Sequence, residues 1–576
     1  MDPRRAAILA EVRAWLDKDP DPATFAELSA LVQNERFDEL EERFRAPLGF
    51  GTAGLRGLVG AGTARMNEVV VERVTRAVAD FLLSSEPDAK TLPVVIGYDA
   101  RPTSRAFALV AERVLTEAKI PVRFFPRPCP TPLVAFVARE LSATAAIVIT
   151  ASHNPAAYNG YKLYGKNAVQ VVPPVDADIE RRAQHLESRQ AGSGGTAIRD
   201  GVPLAEPVAE SLVERYLARI DRDRPHGNID RSQSIVYTPL HGVGGELALR
   251  ALTRAGFSNV AVVPEQGDPD GTFPTLRSPN PEEPEALSLA LSLAEKAKAD
   301  LVLANDPDAD RLAVCVPTAS GRYRALTGNQ MGALLADFVL ANAPPGRKPL
   351  IVSTIVSSPL VADLSRARGA RFEETLTGFK WIWTAALSIE RTENVSFVFG
   401  YEEAIGFSIG GAVRDKDGIS AALWFAELSA RAHAEGHSVM EKLAAIYRRH
   451  GLWASAQRSV ARTGPHGAEE IVTALDRAVR APPFSLAGRK VRGVVDFREG
   501  AGERPEWLPA TPLVLVDLGS DGRVLLRPSG TEPKLKIYAD LKRDLAASDA
   551  LWEAEAALAA DAAVAAAELS RHVGLE

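Results

Sequence analysis

One pattern recurs three times along this chain and restricts its fold more than any other feature: an apolar strand, a loop, a helix and a second apolar strand. The first copy runs through residues 94–98, about 104–118 and 122–125. The second runs through 234–238, about 245–255 and 260–263, and the third through 350–355, about 359–367 and 371–374. Parallel strands need a long crossover, and a helix that covers the sheet is the usual solution, so each copy predicts a βαβ unit. The copies start more than 100 residues apart, which predicts three related α/β domains. A chain of 576 residues is in any case too long for one hydrophobic core.

The two ends read differently. Residues 3–46 predict helices: Ala7, Ile8, Val12 and Trp15 recur at helical spacing, Pro20 and Pro22 interrupt, and a second helix spans about 24–44. Beyond about residue 456, strands near 513–518, 524–526 and 535–539 precede an alanine-rich helix at about 546–572, the signature of a separate α+β domain. Breaks rich in Pro and Gly near 221–228, 344–348 and 463–467 mark boundaries, and the expected domains are 1–227, 228–345, 346–456 and 457–576. The stretch 190–200 reads as a mobile surface loop.

Composition narrows the function classes. A net charge of −7 supplies no global basic field for nucleic acid or anionic membrane. Only two cysteines are present, Cys129 and Cys315, far apart and outside any CxxC pair. A disulfide framework or zinc site is not expected, and a reducing compartment fits. The N-terminus has no signal-like apolar stretch, and no run is long enough for a membrane span, so the expectation is cytoplasmic.

Four segments at strand ends carry chemistry. In Asp306-Pro307-Asp308-Ala309-Asp310-Arg311, three alternating carboxylates lie between two apolar strands. They can converge on a hard cation through oxygen ligands, and the plain alternative is an acidic turn facing solvent. An EF-hand is excluded, because its sixth and twelfth positions are Arg311 and Pro317 and the flanks are strands. Thr150-Ala151-Ser152-His153-Asn154-Pro155 follows the strand 145–149, displaying a serine where α/β domains place ligands. A G-x-S-x-G elbow is absent, and in extended backbone Ser152 and His153 would point apart. Ser152 or Asn154 as a simple helix cap is the plain alternative. Lys162 follows closely. Arg527-Pro528-Ser529-Gly530-Thr531 offers an arginine fork, two hydroxyls and backbone amides, suited either to a phosphate or to an ordinary turn. Gly400-Tyr401-Glu402-Glu403-Ala404-Ile405-Gly406 puts two carboxylates at a strand end. Lys416, in Arg414-Asp415-Lys416-Asp417-Gly418, and Lys380, in Thr377-Gly378-Phe379-Lys380, add cations. Such charge runs are usually solvated surface.

Together and in this order, these segments resemble the α-D-phosphohexomutase family over nearly the whole chain. G-F-G-T-A-G-L-R-G at 49–57 and the helices before it resemble the branch that holds phosphoglucomutases and phosphopentomutases. The resemblance implies three α/β domains plus a C-terminal α+β domain around a central cleft. It also implies a phosphoserine at Ser152 and a Mg²⁺ site of Asp306, Asp308 and Asp310 with a phosphoserine oxygen. Sugar and phosphate contacts would come from Thr377, Gly378, Lys380, Glu402, Lys416, Arg527, Ser529, Gly530 and Thr531. Arg56, Lys162 and Arg311 are the implied active-site cations, with His153 beside the serine and Lys162 or His153 as the general base. The implied reaction interconverts glucose 1-phosphate and glucose 6-phosphate through glucose 1,6-bisphosphate. The partners are then small sugar phosphates, with no nucleic acid or membrane, and the chain would be a monomer or weak dimer. Pentose or mannose phosphates, a sugar-bisphosphate synthase and a non-catalytic relative are the alternatives. Ala404 stands where the family often has serine, which bears on sugar preference.

Overall fold

The computed structural model describes residues 3–17, 19–51, 54–189, 204–318, 320–462, 466–529, 534–547 and 549–575; the stretch read as a surface loop at 190–200 lies outside them. The chain divides into two compact units, Met1–Ala325 with Gly406–Ala426, and Leu326–Ile405 with Glu427–Glu576. Among the described residues, no helix is long and apolar enough to cross a membrane.

The first unit holds two mixed sheets. In one, Val94–Tyr98 lies between Val122–Phe124 and Ala145–Ile149, parallel to both, and Ala145–Ile149 then turns back into the antiparallel Tyr158–Tyr164. In the other, Ile235–Thr238 lies parallel to Val260–Val262 and Leu301–Asn305, and Leu301–Asn305 turns back into Leu312–Pro317. The central strands are buried throughout, which is why they read as unbroken apolar runs rather than alternating ones. The second unit repeats the parallel set: Lys348–Thr354 lies between Arg371–Thr375 and Val395–Glu402.

In all three sets the polar motif follows the third strand. Each of these segments also contains one non-glycine residue in left-handed backbone: Ser152 (φ 52°), Ala309 (φ 54°) and Ile405 (φ 52°). Such a residue costs about 1–2 kcal/mol in isolation, so surrounding contacts must hold it.

The rest of the second unit is an antiparallel sheet. Leu452–Ala461 pairs along its length with Lys534–Arg543, followed by Gly522–Pro528, Val514–Asp517 and Gly493–Asp496. The helix Leu551–His572 covers the first two strands.

Several sequence-based boundaries shift. Residues 24–44 form two helices, Pro22–Gln33 and Phe37–Phe44, because Glu35 turns left-handed (φ 52°) and ends the first. The helix Gly328–Ala341, expected with the second domain, starts from a Thr327–Gln330 capping box and packs on Val395–Glu402 of the third strand set. The strand Leu452–Ala461 runs through the expected boundary at 456/457 and belongs to the C-terminal sheet. Residues 406–426, expected with the third domain, cluster with the first unit.

The helix Gly418–Ala434 starts against the aspartate segment, where Gly418 donates its N–H to the Ala309 carbonyl at 3.1 Å. A Cβ at Gly418 would lie 2.2 Å from the Arg311 carbonyl oxygen and 2.6 Å from Asn305 Nδ2. Neither backbone nor that amide, itself bonded to the Arg311 carbonyl, has room to yield. Gly418→Ala is expected to lower stability by about 1–3 kcal/mol in chemical denaturation. Gly411→Ala, whose Cβ would meet nothing within 4 Å, is expected to stay within about 0.5 kcal/mol.

Candidate active site

In the first unit, the buried strand Ala145–Ile149 delivers Thr150, whose Oγ1 accepts the Ser152 N–H at 2.9 Å. Ser152 then turns left-handed. In this conformation its Oγ donates to Asp306 Oδ2 at 2.6 Å and lies 3.2 Å from His153 Nδ1. The expectation that Ser152 and His153 point apart assumed extended backbone, and the positive φ overturns it. Burial and the charges of Arg311 and Arg56 hold His153 well below the usual imidazole range, so it is neutral.

The aspartates close round in the next motif. Asp306 Oδ1 accepts the Arg311 N–H at 3.0 Å. Asp308 Oδ2 accepts from Thr131 Oγ1 at 2.5 Å and from Lys162 Nζ at 2.6 Å. Asp310 Oδ2 accepts from Lys162 at 2.7 Å and pairs with Lys416 at 3.2 Å. All three carboxylates are buried, with one oxygen from each lying within 4.8 Å of the others. Burial and the neighbouring Asp308 and Asp310 charges drive Asp306 well above the usual carboxylate range. Burial and Asp310 also push Asp308 up, but the Lys162 charge and the hydrogen bonds from Lys162 and Thr131 outweigh them and hold it low. Burial opposes the charge on Lys162, yet Asp308 and Asp310 raise it above its ordinary value.

Asp308 Oδ1 and Asp310 Oδ1 are buried with no hydrogen-bond partner among the described residues. Buried unpaired carboxylate oxygens are costly, and two of them beside a third carboxylate fit a hard divalent cation with oxygen ligands.

Arg56 comes from the strand Leu55–Leu58, paired opposite Gly160, and donates to Asn154 Oδ1 at 3.2 Å. A Cβ at Gly160 would meet the Thr150 and Leu55 carbonyls at 2.5 and 2.7 Å, so glycine is what lets this strand approach. Arg311 lies 3.9 Å from Asp310 and 3.4 Å from Glu282. The run at 414–418, read as solvated, is buried at Asp415, Lys416 and Asp417. Asp415 accepts from Tyr164 at 2.6 Å and Gln170 at 2.7 Å, while Asp417 accepts from Tyr216 and caps the helix at Ile419 and Ser420. Lys416, grouped by sequence with Glu402, belongs with the aspartates.

The remaining predicted residues lie in the second unit. Glu402 ends its strand, 8% exposed, and accepts the Gly378 N–H at 2.7 Å. Gly378 (φ 119°) opens the helix Phe379–Thr392, which carries Lys380 in its first turn. Thr377 Oγ1 is buried without a hydrogen-bond partner among the described residues. Arg527, on Gly522–Pro528, lies beside Tyr538. Burial and the Glu403 charge push the Tyr538 phenol up to about 12, against the opposing pull of Arg527, with Glu402 also contributing. The Ser529 N–H bonds the Lys534 carbonyl at 2.7 Å. Gly530 and Thr531 lie outside the described residues.

Sequence reasoning missed Arg101, Asp99 and Thr131. Arg101 donates to Asp99 and to the carbonyls of Ser152, Asn154, Pro155 and Tyr158. Its signal was present: an acid and a base two residues apart just past the carboxyl end of a buried strand, where α/β ligand loops sit. Thr131 gave no signal, because its partner Asp308 is 177 residues away.

Family models for phosphoglucomutase/phosphomannomutase match in order: alpha/beta/alpha domain I at residues 47–190, domain II at 214–321, domain III at 327–450 and the C-terminal domain at 487–558. A "Probable phosphoribomutase" of Schizosaccharomyces pombe is 35% identical over 93% of this chain and 94% of its own. A phosphopentomutase of Homo sapiens is 33% identical over 92% and 91%. A crystal structure of a phosphoglucomutase/phosphomannomutase family protein from Burkholderia thailandensis shares the fold, with a TM-score of 0.67 at 20% identity over 92% of this chain and 98% of that one. Four domain models in the same order, and relatives alike along nine-tenths of both chains, have one reading: the chain belongs to the phosphoglucomutase/phosphomannomutase family and is an isomerase of the phosphotransferase kind.

Proposed function

We propose that this enzyme moves a phosphoryl group between two hydroxyls of one sugar phosphate by way of phospho-Ser152, with glucose 1-phosphate and glucose 6-phosphate as the exchanging pair. The observation that carries this reading is the contact of Ser152 Oγ with Asp306, at the edge of three buried carboxylates braced by Lys162 and Lys416.

In the first half-reaction, the free sugar hydroxyl attacks phosphorus, the bond to Ser152 Oγ breaks, glucose 1,6-bisphosphate forms and the hydroxyl proton ends on the departing Ser152 Oγ. In the second, Ser152 Oγ attacks the other phosphate, the bond from that phosphorus to its sugar oxygen breaks, phospho-Ser152 re-forms and the sugar oxygen ends protonated. The Ser152 proton passes to neutral His153 Nδ1, 3.2 Å away. Lys162, held charged between two carboxylates, is a poor base; it serves as a fixed cation, as do Arg56 and Arg311, against charge developing on the transferred group. Mg²⁺ held by Asp306, Asp308 and Asp310 would supply Lewis-acid stabilisation of phosphoryl oxygens. Glu402 would accept from sugar hydroxyls, with Thr377, Gly378 and Lys380 beside it. Arg527 and Ser529 would hold the phosphate that does not react. The two cysteines, both buried and unpaired, suit a reducing cytoplasm.

A second reading, pentose 1- and 5-phosphates, is favoured by two observations. Relatives matched over nine-tenths of the chain carry phosphoribomutase and phosphopentomutase names. Ala404 also lacks a hydroxyl beside Glu402. Under the glucose reading, kcat/KM for glucose 1-phosphate is expected to exceed that for ribose 1-phosphate by about tenfold or more, the scale of one lost sugar contact. The reverse ratio assigns the pentose reading.

Ser152→Ala is expected to reduce turnover by at least about 10³-fold, as loss of a covalent nucleophile does, while the fold stays intact. Intact-mass analysis should find one phosphoryl group on the wild-type chain, mapped to Ser152, and none on the variant. Near-normal turnover in the verified variant would end the phosphoserine reading. Exhaustive chelation is expected to abolish activity and Mg²⁺ to restore it; full activity after chelation would contradict the aspartate site.

A further inference from the structure

The Ser152 segment pays a conformational penalty. A serine in left-handed backbone is strained, and the carbonyls of residues 152, 154, 155 and 158 converge on one point, where their oxygens repel. The group at that point is the guanidinium of Arg101, whose side chain is 1% exposed. Nε donates to Asp99 Oδ2 at 3.1 Å. Nη1 donates to the carbonyls of Pro155 at 2.7 Å and Tyr158 at 2.9 Å. Nη2 donates to those of Ser152 at 2.8 Å and Asn154 at 2.5 Å. A guanidinium has five N–H groups in a planar fork, and these five acceptors take them all.

The guanidinium is itself held from two sides. Asp99 is fixed by the Ser104 hydroxyl at 2.5 Å and the Arg101 N–H at 3.0 Å. From the second sheet's domain, Phe273 lays its ring 5.1 Å from Arg101 Cζ. Gly271 also comes so close that a Cβ there would sit 2.3 Å from Arg101 Cα. The same loop bonds the His241 carbonyl through the Asp270 N–H at 2.9 Å. The chain at 242–243 in turn packs on Pro307 of the aspartate segment, with Val243 N–H to Pro307 O at 2.8 Å.

We propose that Arg101 is the positioning residue of the phosphoryl-carrying serine: its five-donor fork fixes the left-handed turn that sets Ser152 Oγ against Asp306 and His153, and Phe273 and Gly271 index that fork to the aspartate segment. The inference rests on the assignment of Ser152 as phosphoryl carrier. Arg101 makes no hydrogen bond to Asp306, Asp308 or Asp310, although its charge is felt at Asp308 and Asp306; its direct hold is on the serine segment. Lysine, with three donors on one point, cannot span the five acceptors.

The test uses the full-length enzyme with Mg²⁺ and glucose 1,6-bisphosphate. In Arg101→Ala and Arg101→Lys, kcat and the rate of Ser152 phosphorylation by bisphosphate are expected to fall together by about 10²-fold, the cost of misplacing a reacting group by about 1 Å. KM for the sugar phosphate should stay near wild type, as should Mg²⁺ affinity by calorimetry in Arg101→Lys, which keeps the charge felt at Asp306 and Asp308. Added guanidine at millimolar levels should restore part of the rate in Arg101→Ala, which leaves a guanidinium-sized space, and none in Arg101→Lys or Ser152→Ala. Wild-type kcat in either folded variant, a loss accounted for by unfolded protein, or no rescue of a folded Arg101→Ala would overturn the proposal. Should Arg101→Ala not fold, Phe273→Leu carries the test: it removes the ring from the fork, and a phosphorylation rate equal to wild type overturns the proposal. If the wild-type chain takes no phosphoryl group at Ser152, the functional reading itself fails. If it does and the variants match it, only the role of Arg101 fails.

Discussion

Three carboxylates buried within 4.8 Å of one another cannot exist without compensation, and much of the first unit is the compensation. At an effective dielectric of about 20, each pair of charges at such a distance repels by about 3 kcal/mol, and burial adds the loss of hydration. Lys162 and Lys416 answer this directly. One rides on a strand of the first sheet and the other arrives from a segment more than 100 residues beyond the aspartates. Lys416 is in turn steadied by Asp415, which Tyr164 and Gln170 bind. That chain of contacts gives a physical reason for residues 406–426 to cluster with the first unit, away from their sequence neighbours.

Much of the architecture was legible because the central strands are short, wholly apolar runs bounded by polar loops. Val94–Tyr98 and Ala145–Ile149 came out residue for residue. The motifs were legible for the same reason: chemistry placed just past a buried strand stands out against the run before it. What could not be read depended on backbone dihedrals or on distant partners. The left-handed turn at Ser152 brings His153 into reach, and no periodicity signals it. Glu35 breaks a helical pattern that is otherwise continuous. The run at 414–418 looks solvated by composition and is buried because its partners, Asp310, Tyr164 and Tyr216, come from far away in the chain. A Pro/Gly-rich stretch such as 344–348 marks a loop, and a loop is not always a boundary; the expected limit near 456 falls inside the strand Leu452–Ala461.

The second unit shows the same economy of placement. Arg523, on the central strand of the C-terminal sheet, bonds the Ser357 carbonyl at 2.6 Å and Asp540 at 3.2 Å, with Glu374 at 3.3 Å. Ser357 also supports Glu403 through the Glu403 N–H at 3.2 Å. The segment carrying Glu402 and the sheet carrying Arg527 are thus tied by one buried arginine, as the serine segment and its neighbours are tied by Arg101.

The three left-handed residues, Ser152, Ala309 and Ile405, have little in common as side chains. Where a reversal is set by one backbone torsion and by contacts to carbonyls, the residues around it are free to drift without losing the bend. Three strand sets can therefore share a single mould and fill it with a hydroxyl in one copy, three carboxylates in the second and a pair of carboxylates in the third. Variation of that kind changes what each copy does while leaving untouched the part of the chain that is hardest to reinvent.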